Sequence, residues 1–199
     1  MMKRVTAGLA AIVLMCLLMN PVLADGSAGD ALFTAYQKML DSRYVADTVS
    51  TDAKGRQTKT RVEFDSMTRF RATTDDSAFV VLPEGVWMRS GNGEWMQPPF
   101  DMSGMIKHML PMAMDEVRAG TSNIKDEGVR TVDGQDLRAI SYAVNTRVMG
   151  ISVSSQNTVF LDGSGRIVRS ESDSTAMKQK THAVQTIRYD DSIRITAPN

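Results

Sequence analysis

Two histidines, His108 and His182, and three adjacent acid pairs, Asp75-Asp76, Asp115-Glu116 and Asp190-Asp191, are the residues whose types could do acid–base or metal work. Their spacing argues against it. Neither histidine has a second one at the HxxxH or HxH spacing that brings two imidazoles to one metal. Neighbouring carboxylates on a strand point to opposite faces, so each acid pair reads as a turn or a solvated surface. The single cysteine, Cys16, lies in a leader-like segment, so a thiol nucleophile or thiolate site is not available beyond it. No G-x-S-x-G elbow, phosphate loop or dinucleotide fingerprint occurs. No cofactor and no catalytic residue is expected, although an unrecognised enzymatic type stays open as a third reading.

The informative side chains are apolar. Trp87 and Met88 face Trp95 and Met96 across Ser90-Gly91-Asn92-Gly93, where Asn92-Gly93 could supply the positive φ angles of a tight hairpin. Pro98-Pro99 stops the second arm, because proline cannot donate to a ladder. The period then changes. Met102, Met105, Ile106, Met109 and Leu110 recur at i, i+3, i+4, i+7 and i+8, one face of a helix that Asp101 or Ser103 could cap. Of the fifteen methionines, five fall between 102 and 114. Such a face serves as ordinary core or as an adaptable wall for an apolar ligand, since methionine is unbranched and polarizable.

The elements that must position these residues follow from periodicity. Leu32, Phe33, Tyr36, Met39 and Leu40 predict a helix over 30–44, capped by Ser27 or Asp30. From Tyr44 the chain turns to β character, with a turn at Asp52-Ala53-Lys54-Gly55. Residues 58–73 alternate: Val62, Phe64, Phe70 and Ala72 on one face, Arg61, Glu63, Asp65, Arg69 and Arg71 on a solvated one, with a bend or break at Asp65-Ser66. Residues 112–118 predict a short helix, 121–127 a connection, Asp133-Gly134 a hairpin turn and 137–153 one long strand or two. Residues 154–157 read as a polar turn, and 158–161 pair with 167–172 around Asp162-Gly163-Ser164-Gly165. A strand over 182–189 follows, with Ile193 and Ile195 closing the pattern. The expected class is α+β: a strongly curved antiparallel sheet, an unclosed β-barrel, with helices covering the open side.

Residues 1–24 have the form of a secretory signal peptide: Lys3 and Arg4, an apolar run from Val5 to Met19, then Val22-Leu23-Ala24 before the expected cleavage. Lipidation at Cys16 is the rival reading, disfavoured by the bulky Met15 before it. Residues 25–199 then form one domain with 21 basic and 23 acidic residues and no cysteine. No basic stripe suggests nucleic acid, and no second long apolar segment suggests a membrane span.

The order helix, strand ending in Met67-Thr68-Arg69-Phe70-Arg71, hairpin Val86-Trp87-Met88 to Glu94-Trp95-Met96, helical insertion, and Val159-Phe160-Leu161-Asp162 with Arg166-Ile167-Val168-Arg169 resembles the LolA/LolB and LppX/LprG superfamily. The closing Ile187-Arg188-Tyr189-Asp190, Ile193-Arg194-Ile195 and Ala197-Pro198 are similar to that group's last strand. The resemblance implies a non-enzymatic periplasmic carrier or chaperone that holds acyl chains of a lipid or lipoprotein. A membrane-bound donor or acceptor protein would be an optional further partner. Trp87, Met88, Trp95, Met96, Met102, Met105, Ile106, Met109 and Leu110 would line or gate the cavity. LolB and LppX carry a lipid anchor, and the Cys16 context departs from theirs, which favours a free carrier. The alternative is a periplasmic sensor or interaction domain of a stress-response or envelope complex, built on the same shape.

Overall fold

The computed structural model describes residues 26–98, 114–148 and 151–198. Helix α1 (Gly26–Leu40) leads into a five-strand meander: β1 (Tyr44–Asp52), β2 (Gln57–Ser66), β3 (Arg69–Thr74), β4 (Ser77–Leu82) and β5 (Gly85–Ser90). Helix α2 (Met114–Gly120) then opens a second meander: β6 (Thr121–Val132), β7 (Gln135–Val148), β8 (Ile151–Leu161), β9 (Ile167–Ala176) and β10 (Gln179–Tyr189). The two meanders join where β10 pairs antiparallel with β1, giving one ten-stranded sheet in the order β5-β4-β3-β2-β1-β10-β9-β8-β7-β6. Strands β5 and β6 are its edges. The described chain is therefore mostly β, with its helices a minor component, a shift from the α+β balance expected.

Helix α1 forms because Ala28, Leu32, Ala35 and Met39 fall on one stripe, and all four are buried with Phe33. It starts earlier and ends earlier than the periodicity predicts, so Ser27 and Asp30 lie inside it instead of capping it. The Ser42 hydroxyl donates to the Lys38 carbonyl at 2.6 Å, and the Ser42 amide to the Met39 carbonyl at 3.2 Å. These bonds satisfy carbonyls that the last turn leaves without partners. Tyr44 consequently opens β1.

Four local readings change. Residues 121–127 belong to β6, whose positive φ at Asn123 and Gly128 and two register shifts hide a strand under a loop-like sequence. Residues 154–157 run inside β8, where Ser155 and Asn157 point to a polar part of the interior. In the turn after β5 the positive φ belongs to Gly91, at +55°, and not to Asn92 or Gly93, with the Gly93 amide donating to the Ser90 carbonyl at 3.0 Å. Asp65 is not on a solvated face: a bulge between Phe64 and Ser66 turns its carboxylate to Arg43 and the Ile195 amide. The turns at Asp52 and Asp162 are as expected and share one construction. Each carboxylate accepts from the amides two and four residues on, and the arginine at the second position, Arg56 or Arg166, pairs with it.

Candidate functional site

Side chains alternate across the sheet, so register assigns each strand residue to the α1-facing side or to the opposite side. The rows of the α1-facing side that pass through Tyr44 and Ala46 are apolar. Across adjacent strands run Val86, Val81, Phe70, Phe64, Tyr44 and Tyr189, then Met88, Phe79, Ala72, Val62, Ala46 and Ile187. Tyr44 stacks on Phe64 with centroids 4.8 Å apart and meets Tyr189 edge-on at 6.3 Å. Burial pushes the Tyr44 phenol far above its ordinary range and Tyr189 up to about 12, while Tyr189 donates to the Ile167 carbonyl at 2.9 Å. All ten strands contribute to the single cluster around Leu32, Phe33 and Met39.

Two ties fix the helix on this face. The Lys38 ammonium donates to the Ser164 carbonyl at 2.6 Å, which also places a cation in the last helical turn. The Tyr36 and Tyr142 hydroxyls lie 2.6 Å apart with their rings edge-on, and burial holds both phenols protonated. Arg118 of α2 lies 4.4 Å above the Phe33 ring, and a cavity of about 280 Å³ opens between the two helices beside Thr34 and Gln37.

Farther along the strands the same side changes character. The next row is Thr74, Thr60, Thr48, Gln185 and Ser170, and the one after it Thr58, Ser50, Ala183, Ser172 and Asn157, which ends on Tyr142. Thr48, Ser50, Thr60, Ser155 and Ser172 are all at least nine-tenths buried. Gln185 donates to the Thr48 hydroxyl at 3.1 Å and Asn157 to the Ser155 hydroxyl at 2.9 Å. The hydroxyls of Ser50, Thr60 and Ser172 are buried with no partner. Beyond these rows a cavity of about 470 Å³ is lined by Ser155, Ser174 and Thr181 of this side together with Asp173 and His182. Sequence reasoning missed the rows because Thr48 and Ser50 are short polar side chains without an apolar signal, and the sequence places them only in a strand that begins at Tyr44. The usable signal was that they share parity with Tyr44 and Ala46.

The predicted site residues divide between the two sides. Met88 faces the α1 side, and its amide and carbonyl bridge those of Met96 at 2.9 and 3.0 Å, so the two arms do meet as expected. Met96 is 59% exposed at the sheet edge. Trp87 and Trp95 each pack on the opposite side, against the cluster of Val45, Val80, Leu82, Ile193 and Ile195. Arg89 lies 4.9 Å over the Trp95 ring there. Met102, Met105, Ile106, Met109 and Leu110 lie outside the described residues, as do His108 and the leader with its cleavage point.

Charged chemistry is sparse. His182 Nδ1 lies 2.9 Å from Asp173 Oδ1 in an exposed pair. Asp190 caps its own turn through Ser192. Among the described residues no three His, Cys, Asp or Glu gather as metal ligands, and no helix is long and apolar enough to cross a membrane.

Against solved structures, the chain matches lipoprotein LppX of Mycobacterium tuberculosis at a TM-score of 0.60, over 87% of this chain and 100% of that one, with 11% identity. The fold is LppX-like. Looser likenesses are to a Bacteroides fragilis protein with a YmcC-like fold (TM-score 0.33, 10% identity, 74% of this chain and 95% of that one) and a LolA superfamily protein from Nitrosomonas europaea (TM-score 0.33, 9% identity, 84% and 92%). No protein-family model and no curated protein matches the sequence. The LppX-like fold agrees with the grouping that the sequence motifs suggest, and at this identity it speaks for architecture alone.

Proposed function

We propose that this LppX-like chain is a non-enzymatic periplasmic carrier or chaperone. It would bind acyl chains of a lipid or lipoprotein between the α1-facing side of its sheet and the methionine-rich stretch 102–110. Residues 25–199 would be the working domain, released from its leader after Ala24. The observation that carries the reading is that all ten strands contribute to one cluster around a single helix. Packing of all ten strands into one apolar cluster, with α1 meeting β6 and β9, supports a sheet that curves around the helix as an unclosed trough. Desolvating an acyl chain in it yields about 0.8 kcal/mol per methylene, so no covalent step is needed.

Met88 lines the trough in this reading, with Met102, Met105, Ile106, Met109 and Leu110, while Met96 stands at the rim. Trp87 and Trp95 hold the β5 edge in place through the opposite cluster. Native mass spectrometry of protein purified from periplasm without detergent tests the proposal. A bound mass that dissociates as phospholipid or acylated peptide, and that is lost in Met105→Asp/Met109→Asp with the fold retained, is the expected result. A clean apo mass, unchanged after incubation with lipids, together with one stoichiometric protein partner in a pull-down, would replace the carrier by a sensor or interaction domain.

A further inference from the structure

The hydroxyl rows are poorly suited to methylene chains, and that mismatch is informative. Ser50 is 6% exposed, Thr60 5% and Ser172 4%, and none of the three hydroxyls has a partner. A buried hydroxyl without a hydrogen bond carries an uncompensated desolvation cost, so three of them in neighbouring strands need an account. They share one side of the sheet: Thr60 beside Thr48 on β2 and β1, Ser50 and Ser172 flanking Ala183 on β1, β10 and β9. The two strand spacings between Ser50 and Ser172 amount to about 10 Å. Ala183, 1% exposed, leaves the floor between them without a side chain beyond Cβ. Neither row contains a charged residue.

We propose that Ser50, Thr60 and Ser172 form a hydrogen-bonding subsite for the uncharged, carbonyl-bearing part of the ligand. These are the ester or amide linkages from which acyl chains hang. The proposal rests on the acyl-ligand reading and deepens it. A hydroxyl can donate to a carbonyl oxygen, and an ester offers acceptors only, which matches rows whose unsatisfied groups are all O–H. An ionised phosphate would require a cation that these rows lack. Three donors spread over about 10 Å fit two or more linkages better than a single free carboxyl group. The apolar rows around Phe64, Phe79 and Ile187 would then take the chains, and the ligand would lie with its junction toward the far ends of β1 and β10.

The test compares a dipalmitoyl glycerol ester with the dihexadecyl glycerol ether, matched in chain length and lacking only the carbonyls. Both would compete against a fluorescent fatty acid on the purified chain. The ester should bind roughly tenfold more tightly than the ether, the size expected of one to two net hydrogen bonds. The triple variant Ser50→Ala/Thr60→Val/Ser172→Ala should bind the two lipids alike. It should melt no lower than the parent, since each change deletes a hydroxyl that bonds to nothing. Equal binding of ester and ether by the parent would overturn the subsite and leave the carrier reading standing. Binding of neither would overturn both. A triple variant that keeps the preference, or that melts several degrees lower, would show that these hydroxyls serve the fold and not the ligand.

Discussion

Asp65→Asn removes one charge from the contact that fastens the end of the chain to the sheet. Asp65 Oδ1 accepts from Arg43 Nε at 2.6 Å, and Oδ2 accepts from the Ile195 amide at 3.3 Å. The carboxylate side chain is 9% exposed and Arg43 37%. Breaking a fully buried pair costs about 3–5 kcal/mol, and a charged hydrogen bond contributes about 1.5–3 kcal/mol. Because water reaches Arg43, its guanidinium is re-solvated when the partner goes, which favours the low end of these ranges. A loss of about 2 kcal/mol at pH 7 is expected, or about 4–8 °C in Tm for a chain of this size. Burial pushes the Asp65 carboxyl up, but the Arg43 and Ile195 bonds outweigh it and hold it below the ordinary range. A carboxylate lowered in the folded state contributes stability above its unfolded value, about 3.9, and loses it as pH falls through the folded value. Urea titrations of parent and variant at about pH 7, 5, 4 and 3 should show a constant gap above about pH 5 that narrows below about pH 4. A variant within about 0.5 kcal/mol of the parent at pH 7, or a gap that does not narrow in acid, would refute the assignment.

Leu32→Ala, at a fully buried position in the α1 cluster, should cost about 3–4 kcal/mol in urea unfolding because the surrounding strands cannot collapse into the space. Tyr36→Phe and Tyr142→Phe should each cost about 1 kcal/mol, and the double variant less than their sum, in a double-mutant cycle read by thermal melting. Ile195→Asp should move tryptophan emission to the red, since Trp87 and Trp95 share its cluster. Loading of lipid on the α1 side should change by less than about twofold, because the substitution lies on the opposite face.

The strands with alternating apolar residues were legible from sequence. Phe64 and Phe70 do pair directly across the β2–β3 turn, and the Asp133-Gly134 hairpin has both residues at positive φ, 50° and 79°. Strand β6 was hidden because its register shifts break the period of two, so Lys125, Asp126 and Gly128 imitate a connection. The candidate site was legible only in part. Spacing brought Met88 to Met96, but adjacent residues of a strand face opposite ways, and that parity separates Trp87 from Met88. The buried Ser and Thr rows carry no hydrophobic signal at all. Only the pairing of β1 with β10, two strands 127 residues apart from the end of one to the start of the other, places them together.

That same pairing has a consequence for how the polypeptide is made. During synthesis β1 emerges early, yet one of its two neighbours, β10, emerges after every other strand. The halves β1–β5 and β6–β9 can each zip up from local hairpins, but nothing in the ladder links them until Gln179–Tyr189 arrives. Closure is thus a late, long-range event of the kind that folds slowly. A nascent chain halted before Gln179 would carry the open edges of β1 and β9, attractive to proteases and to other strands. Delivery of the whole polypeptide in an unfolded form, with folding released at the last strand, is the regime this topology suits.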